Sequence, residues 1–199
     1  MTYAQCKRRT LELIFSYSRA GTAIPSSYNN QADYENRIPA LVNQAQMEIA
    51  TAYKPIECSI AAGSLTHPVG APDNVYSLPN DCYKIVDGGL LRLTPNGRER
   101  VKEYTLLYEN RIYIPVDRTG LYLEYFRYPI ELPDVPSDYA KLDNTPDAQE
   151  AVPFFAAAQL VLYDDAYRYT ALMDEYRRRC TLLSRQKYLE CGIVQNVYG

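Results

Sequence analysis

Apolar positions three and four residues apart open the chain. Tyr3, Cys6, Thr10, Leu13 and Tyr17 hold that spacing, with Lys7, Arg8, Arg9 and Glu12 between them. The pattern predicts an amphipathic helix from Tyr3 to Tyr17. Gly21, Pro25 and a Ser/Asn cluster in "AGTAIPSSYNN" then break it. A second stripe (Tyr34, Ile38, Leu41, Ala45, Ile49 and Ala52) predicts a helix across "ADYENRIPALVNQAQMEIATAY". Pro39 belongs in its first turn or at a kink, because an interior proline loses a backbone hydrogen bond and crowds the preceding turn.

From Pro55 the helical period gives way to short β-prone runs punctuated by Gly, Pro, Asn and Asp: "IECSIAAG", "NVYSLPNDCYKIVDGGLLRLT", "VKEYTLLYENRIYIPVD" and "GLYLEYFRYP". A tight hairpin turn is predicted at Glu109 and Asn110. The glycine pair of "VDGGLLR" reads as a turn. In the last run Leu121, Leu123 and Tyr125 share one face, while Tyr122, Glu124, Phe126 and Tyr128 share the other. Both faces are apolar or amphipathic, so this strand is expected to be covered on both sides, one cover coming from another subunit. Tyrosine suits such a place, since it buries a large ring and keeps a hydroxyl for water or a neighbour.

The acidic, proline-bearing connector "ELPDVPSDYAKLDNTPDA" leads back to helix, with Thr145 as N-cap and Pro146 in the favoured first-turn position. Phe154, Phe155, Ala158, Val161 and Leu162 mark one helix; Tyr169, Met173, Tyr176, Cys180 and Leu183 mark the next. Asp164 and Asp165 read as the junction between them. Asp174–Arg178 and Glu175–Arg179 are spaced for i,i+4 pairing. The predicted class is therefore α+β. Helices of 1–54 and 135–190 pack together as one body, a small antiparallel β insertion occupies 55–134, and 191–199 form an extended C-terminal tail.

Composition narrows the function. A hydrophobic content of 47% with 23% charged residues describes a folded protein rather than a disordered one. The net charge of −3 lacks the basic excess of a protein that coats DNA. No apolar run suits a bilayer or a secretory leader, and no membrane partner is expected. Five scattered cysteines without a C-x-x-C pair fit free thiols in a reducing cytoplasm.

Chemistry is sparse. His67 is the single histidine, in the loop-like "SLTHPVG", which rules out a multi-histidine metal site and disfavours a triad. No dinucleotide or P-loop glycine motif occurs, and no cofactor is called for. Asp164 and Asp165 are adjacent, so on a helix they diverge by about 100° and cannot address one substrate together. Arg177, Arg178 and Arg179 with Lys7, Arg8 and Arg9 form basic helix faces. Nearby acids partly neutralise them, and they are candidates for electrostatic contact with a partner. Enzymatic activity is not expected.

The order of parts, in "RIPALVNQAQMEIAT", "SLPNDCYKI", "RIYIPVDRTGLYLEYFRYPIEL" and "AVPFFAAAQLVLYDDAYRYTALMDEYRRR", resembles the head-to-tail adaptor (connector) proteins of tailed bacteriophages over most of the chain. The resemblance implies a structural virion protein without catalytic residues. It would form a ring, commonly of twelve copies, seated under the portal in the virion neck and offering a platform to the next tail component. It further implies that genomic DNA passes through the channel without sequence-specific binding, and that the terminal segment reaches the portal or a neighbouring copy. Ile193, Val194, Val197 and Tyr198, too apolar for a free solvated end, are the expected contacts there. Tyr122, Phe126 and Tyr128 are the candidate subunit contacts. Two alternatives stay open: a module binding glycan or single-stranded nucleic acid through the Tyr122–Tyr128 face, and a carboxylate-dependent hydrolase.

Overall fold

The computed structural model describes residues 1–14, 31–95 and 97–190, and it divides the chain into two compact units, Met1–Lys54 with Pro129–Gly199, and Pro55–Tyr128. Helices and antiparallel sheets are both present, so the class is α+β.

The first unit is helical. Helix α1 spans Tyr3–Ile14 and α2 spans Gln31–Glu48, continued by a π-helical turn over Ile49–Tyr53. The predicted position at Tyr17 lies outside the described residues. Thr2 and Gln5 open α1 with a reciprocal cap. The Gln5 N–H donates to Thr2 Oγ1 at 3.3 Å and the Thr2 N–H donates to Gln5 Oε1 at 2.9 Å. This is the Thr-x-x-Gln capping box, legible in "TYAQ". Pro39 sits well inside α2 and is buried rather than in the first turn. The predicted stripe holds at Tyr34, Ile38, Ala45 and Ile49, but Val42 and Ala50 are fully buried, while Leu41 is half-buried and Ala52 exposed. Val42 follows Ile38 by four residues within the regular helix, whereas the exchange of Ala52 for Ala50 has its cause in the π turn, marked by the Lys54 N–H bonded to Ile49 O at 2.8 Å. An i→i−5 turn takes more than 3.6 residues and slips the phase of the stripe.

Three helices complete the unit: α3 (Pro146–Gln149), α4 (Val152–Val161) and α5 (Ala166–Glu190). Apart from the half-buried Gln159, every residue of α4 is buried, which makes it the central helix. Its core includes Cys6 and Leu11 from α1, Ile38 and Val42 from α2, and Met173, Tyr176 and Cys180 from α5. The terminal helices do pack together. Thr145 precedes Pro146 at the start of α3, but its side chain makes no capping bond. Asp165 instead caps α5, its Oδ1 accepting the Arg168 N–H at 2.9 Å, and Asp164 accepts the Tyr34 hydroxyl at 2.8 Å.

The second unit holds two antiparallel sheets. Strands β1 (Ile56–Ala61), β3 (Cys82–Thr94), β4 (Gly97–Arg100) and β7 (Leu121–Arg127) form one in the order β1-β7-β3-β4. Strands β2 (Val75–Ser77), β5 (Thr105–Leu107) and β6 (Arg111–Tyr113) form the other in the order β2-β6-β5. Both line one core, with Leu90, Leu121, Leu123 and Tyr125 from the first sheet and Tyr76 and Ile112 from the second. The predicted hairpin joins β5 to β6, with Glu109 and Asn110 at φ 61° and 57°. The glycine pair does not make the expected turn. Gly88 and Gly89 lie in a bulge of β3 where the register shifts between Ile85 and Leu90.

The junction also moves. The insertion ends at Tyr128 rather than Asp134, because Leu132 belongs to the helical core. Asn43 brackets it, donating to Leu132 O and accepting from the Leu132 N–H, both at 2.8 Å. Farther along, the Asp143 N–H donates to Gln46 Oε1 at 2.7 Å, and Gln149 Nε2 donates to Leu142 O and Asn144 O at 2.9 and 2.6 Å. These bonds satisfy the connector's backbone and fix it to the helices. The tail, residues 191–199, lies outside the described residues.

Candidate interaction surface

Strand β7 is central in its sheet, and alternation along it decides what faces where. Leu121, Leu123 and Tyr125 are buried, while Tyr122, Glu124 and Phe126 are half-buried. The strand is thus covered fully on one side only, because the shared core lies against a single face of the sheet. Of the two covers expected, this chain supplies one.

The other face is open and carries the aromatic residues. Residues paired across antiparallel strands share a face, and the pairs Glu57↔Phe126, Ser59↔Glu124 and Ala61↔Tyr122 place these six together. On the opposite side of β7, Leu91 pairs with both Tyr122 and Arg100, and Leu93 pairs with Arg98. Arg98 Nη1 reaches Glu124 Oε1 at 2.9 Å across that face.

The predicted aromatic residues do not form one platform. Phe126 and Tyr128 join Tyr83 of β3, whose ring lies 6.2 Å from Phe126 at 25° and 5.1 Å from Tyr128 at 35°. Tyr122 stands four residues from Phe126, about 13 Å along the strand. Tyr83 was missed because a register shift between Cys82 and Lys84 brings it there. Burial first, and Tyr128 beside it second, raise the Tyr83 hydroxyl above its ordinary pKa. The rings use one another's faces, which makes the cluster a ridge that leaves less open ring surface for a stacked base or sugar.

A shallow depression of about 240 Å³ on this sheet is lined by Glu57, Cys58, Ser59, Val86, Arg98 and Glu124. It gathers two carboxylates, Glu57 and Glu124, and the Glu124 carboxylate is engaged by Arg98.

The arginines of α5 are tied down locally. Arg178 Nε and Nη2 donate to the two Glu175 oxygens at 2.7 and 2.8 Å. Arg179 Nε donates to Glu175 Oε1 at 2.7 Å, and its guanidinium lies 4.4 Å from the centre of the Phe154 ring. Arg177 lies 3.7 Å from Asp174, so Arg178 takes Glu175 rather than the i,i+4 acid Asp174. The hydrogen bonds from Arg178, opposed by burial and aided by Arg179, lower Glu175 to about 2. Arg177 and Arg178 remain exposed.

Nothing described assembles a nucleophile. Burial raises the Cys6 thiol to about 12 and the Cys180 thiol to about 11, away from thiolate character. His67 is exposed, with Nδ1 2.9 Å from Pro68 O and its ring edge-on to Tyr76 at 6.0 Å. Among the described residues no three His, Cys, Asp or Glu side chains gather as a metal site, and no helix is long and apolar enough to cross a membrane. Fold and surface together define an α+β protein with a helical unit, a β unit and an open aromatic sheet face. No family model matches the chain, and no curated protein matches it.

Proposed function

We propose that this chain is a structural subunit of a phage neck, a head-to-tail adaptor that forms a ring between the portal and the next tail component. The supporting observation is the open face of the four-stranded sheet, where the Tyr83–Phe126–Tyr128 ridge sits beside ion-paired and charged side chains. Apolar rings rimmed by charge are the composition of a protein-contact surface. The ring is homo-oligomeric, commonly of twelve copies, with DNA passing through it unread. Its place is the virion neck, and its work is assembly rather than catalysis. Arg177 and Arg178 supply electrostatic contacts from the helical unit. The residues Ile193, Val194, Val197 and Tyr198 dock on the portal or on the next copy.

Imaging of the protein mixed with its portal tests this directly: rings seated on portals are expected, and a chain that never joins portal or tail overturns it. Deleting residues from Gly192 onward is expected to leave the chain folded, with unchanged helical circular dichroism, and to abolish stable attachment. Attachment equal to that of the full chain overturns the tail's part. The glycan or single-strand reading makes a different demand, that Tyr128→Ala abolish ligand binding while assembly is unaffected.

A further inference from the structure

We propose that the two free edges of the four-stranded sheet, β1 and β4, are complementary halves of one head-to-tail contact between copies of this chain. The inference rests on the ring-forming reading above and names the surface that would close the ring.

Direction comes first. β1 runs antiparallel to β7, β7 to β3, and β3 to β4. In an all-antiparallel sheet with an even number of strands, the two edges point opposite ways. Strand β4 of one copy laid beside β1 of the next therefore extends the same antiparallel sheet and keeps the open face on one side. Each edge presents unpaired backbone groups, a template for another strand.

Charge then selects which edges meet. On the open face β1 shows Glu57, Ser59 and Ala61, all exposed, and β4 shows Arg98 and Arg100, also exposed. Among the described residues, neither Glu57 nor Arg100 has an ion-pair partner in its own chain. A β1–β1 contact would bring Glu57 side chains together, and a β4–β4 contact would array arginine against arginine; like charges facing one another across strands are destabilising. A β4–β1 contact sets arginines beside Glu57. The pattern disfavours the self-complementary pairings that stop at a dimer and favours the heterologous one, which closes into a ring when its rotation allows.

Charge reversal tests the pairing in the full-length protein, with assembly read by sedimentation velocity and native mass spectrometry without portal. Glu57→Arg and Arg100→Glu are each expected to raise the concentration for half-assembly about tenfold, since attraction becomes repulsion at every contact. The double exchange restores it. A Glu57→Cys/Arg100→Cys variant is expected to give a ladder of disulfide-linked multimers under mild oxidation, and each single variant none. Single reversals that assemble like the parent, a cysteine pair that yields no ladder, or a parent chain monomeric at its highest soluble concentration overturn the proposal. Adding portal in a separate arm distinguishes the two readings. Rings that depend on Glu57 and Arg100 but ignore portal sink the adaptor reading alone. Portal-bound rings indifferent to both residues sink this contact alone.

Discussion

At the scale of single residues, burial and pairing set reactivity. Cys6 and Cys180 are fully buried, whereas Cys58 is half-buried on the edge strand β1. Iodoacetamide on the native protein is expected to label Cys58 and spare Cys6 and Cys180 until denaturant is added, as read by peptide mass spectrometry. Native labelling of either buried thiol refutes the packing of α1 or α5. Glu175 provides a pH readout. Its folded pKa, lowered from the ordinary value of 4.5 to about 2, means that its stabilisation is present above pH 4.5 and is lost as pH falls toward 2. The difference in thermal midpoint between the parent and Glu175→Gln is expected to be constant near neutrality and to shrink over that acid window. A difference that does not change with pH would mean that the Arg178 and Arg179 bonds contribute nothing. Tyr176 is a third case. Its hydroxyl is buried and makes no hydrogen bond of ordinary geometry, while its ring lies 5.2 Å from that of Phe155. Removing an unsatisfied buried hydroxyl costs little, so Tyr176→Phe is expected to match or exceed the parent in urea unfolding. Tyr176→Ala is expected to lose about 3–5 kcal/mol through the cavity it leaves. A large loss for the phenylalanine variant would show that the hydroxyl is satisfied after all.

At the scale of elements, the bulge in β3 has the narrowest tolerance. A Cβ on Gly89 would lie 2.4 Å from Glu124 O and 2.7 Å from Val86 O, both backbone atoms that cannot swing aside. Gly89→Ala is expected to cost upward of about 1–3 kcal/mol, with loss centred on the β unit in hydrogen exchange. Unchanged protection of β3 and β7 would contradict the register shift between Ile85 and Leu90. The same bulge explains why "VDGGLLR" misleads as a turn: glycine pairs serve close backbone approach as readily as reversal. Strand β4 carries a local mark in the sequence, the Asn-Gly dipeptide of "TPNGRER", and Thr94 pairs with Gly97.

At the scale of the whole molecule, the insertion begins and ends on neighbouring strands. Ile56 pairs with Arg127, so Pro55 and Tyr128 enter and leave the β unit side by side. Cross-strand partners lie about 5 Å apart, a gap that a short Gly/Ser linker spans. Replacing 55–128 with such a linker is expected to leave a helical protein that unfolds cooperatively by circular dichroism. A molten or unfolded product would show that the helical unit depends on the insertion. If the ring reading holds, this variant also loses the β1–β4 contact while keeping Arg177 and Arg178.

What the chain's sequence determined by itself is what local periodicity encodes. The apolar spacing of α4 and α5, the alternation of β7, the Glu109–Asn110 hairpin and the Asp164–Asp165 junction depend on residues a few positions apart and were legible. In α1, Tyr3, Cys6 and Thr10 are buried as expected, while Leu11 and Ile14, rather than the half-buried Leu13, complete the buried face. Tertiary structure decided whatever depends on partners far along the chain. Asn43 claims Leu132 for the helical core, and the π turn exchanges Ala52 for Ala50. The bulged register brings Tyr83 onto Phe126 and Tyr128, and Arg178 chooses Glu175 over Asp174. The open face with Glu57 at one edge and Arg100 at the other exists only once strands distant in sequence lie side by side, because no local pattern records which strand becomes an edge.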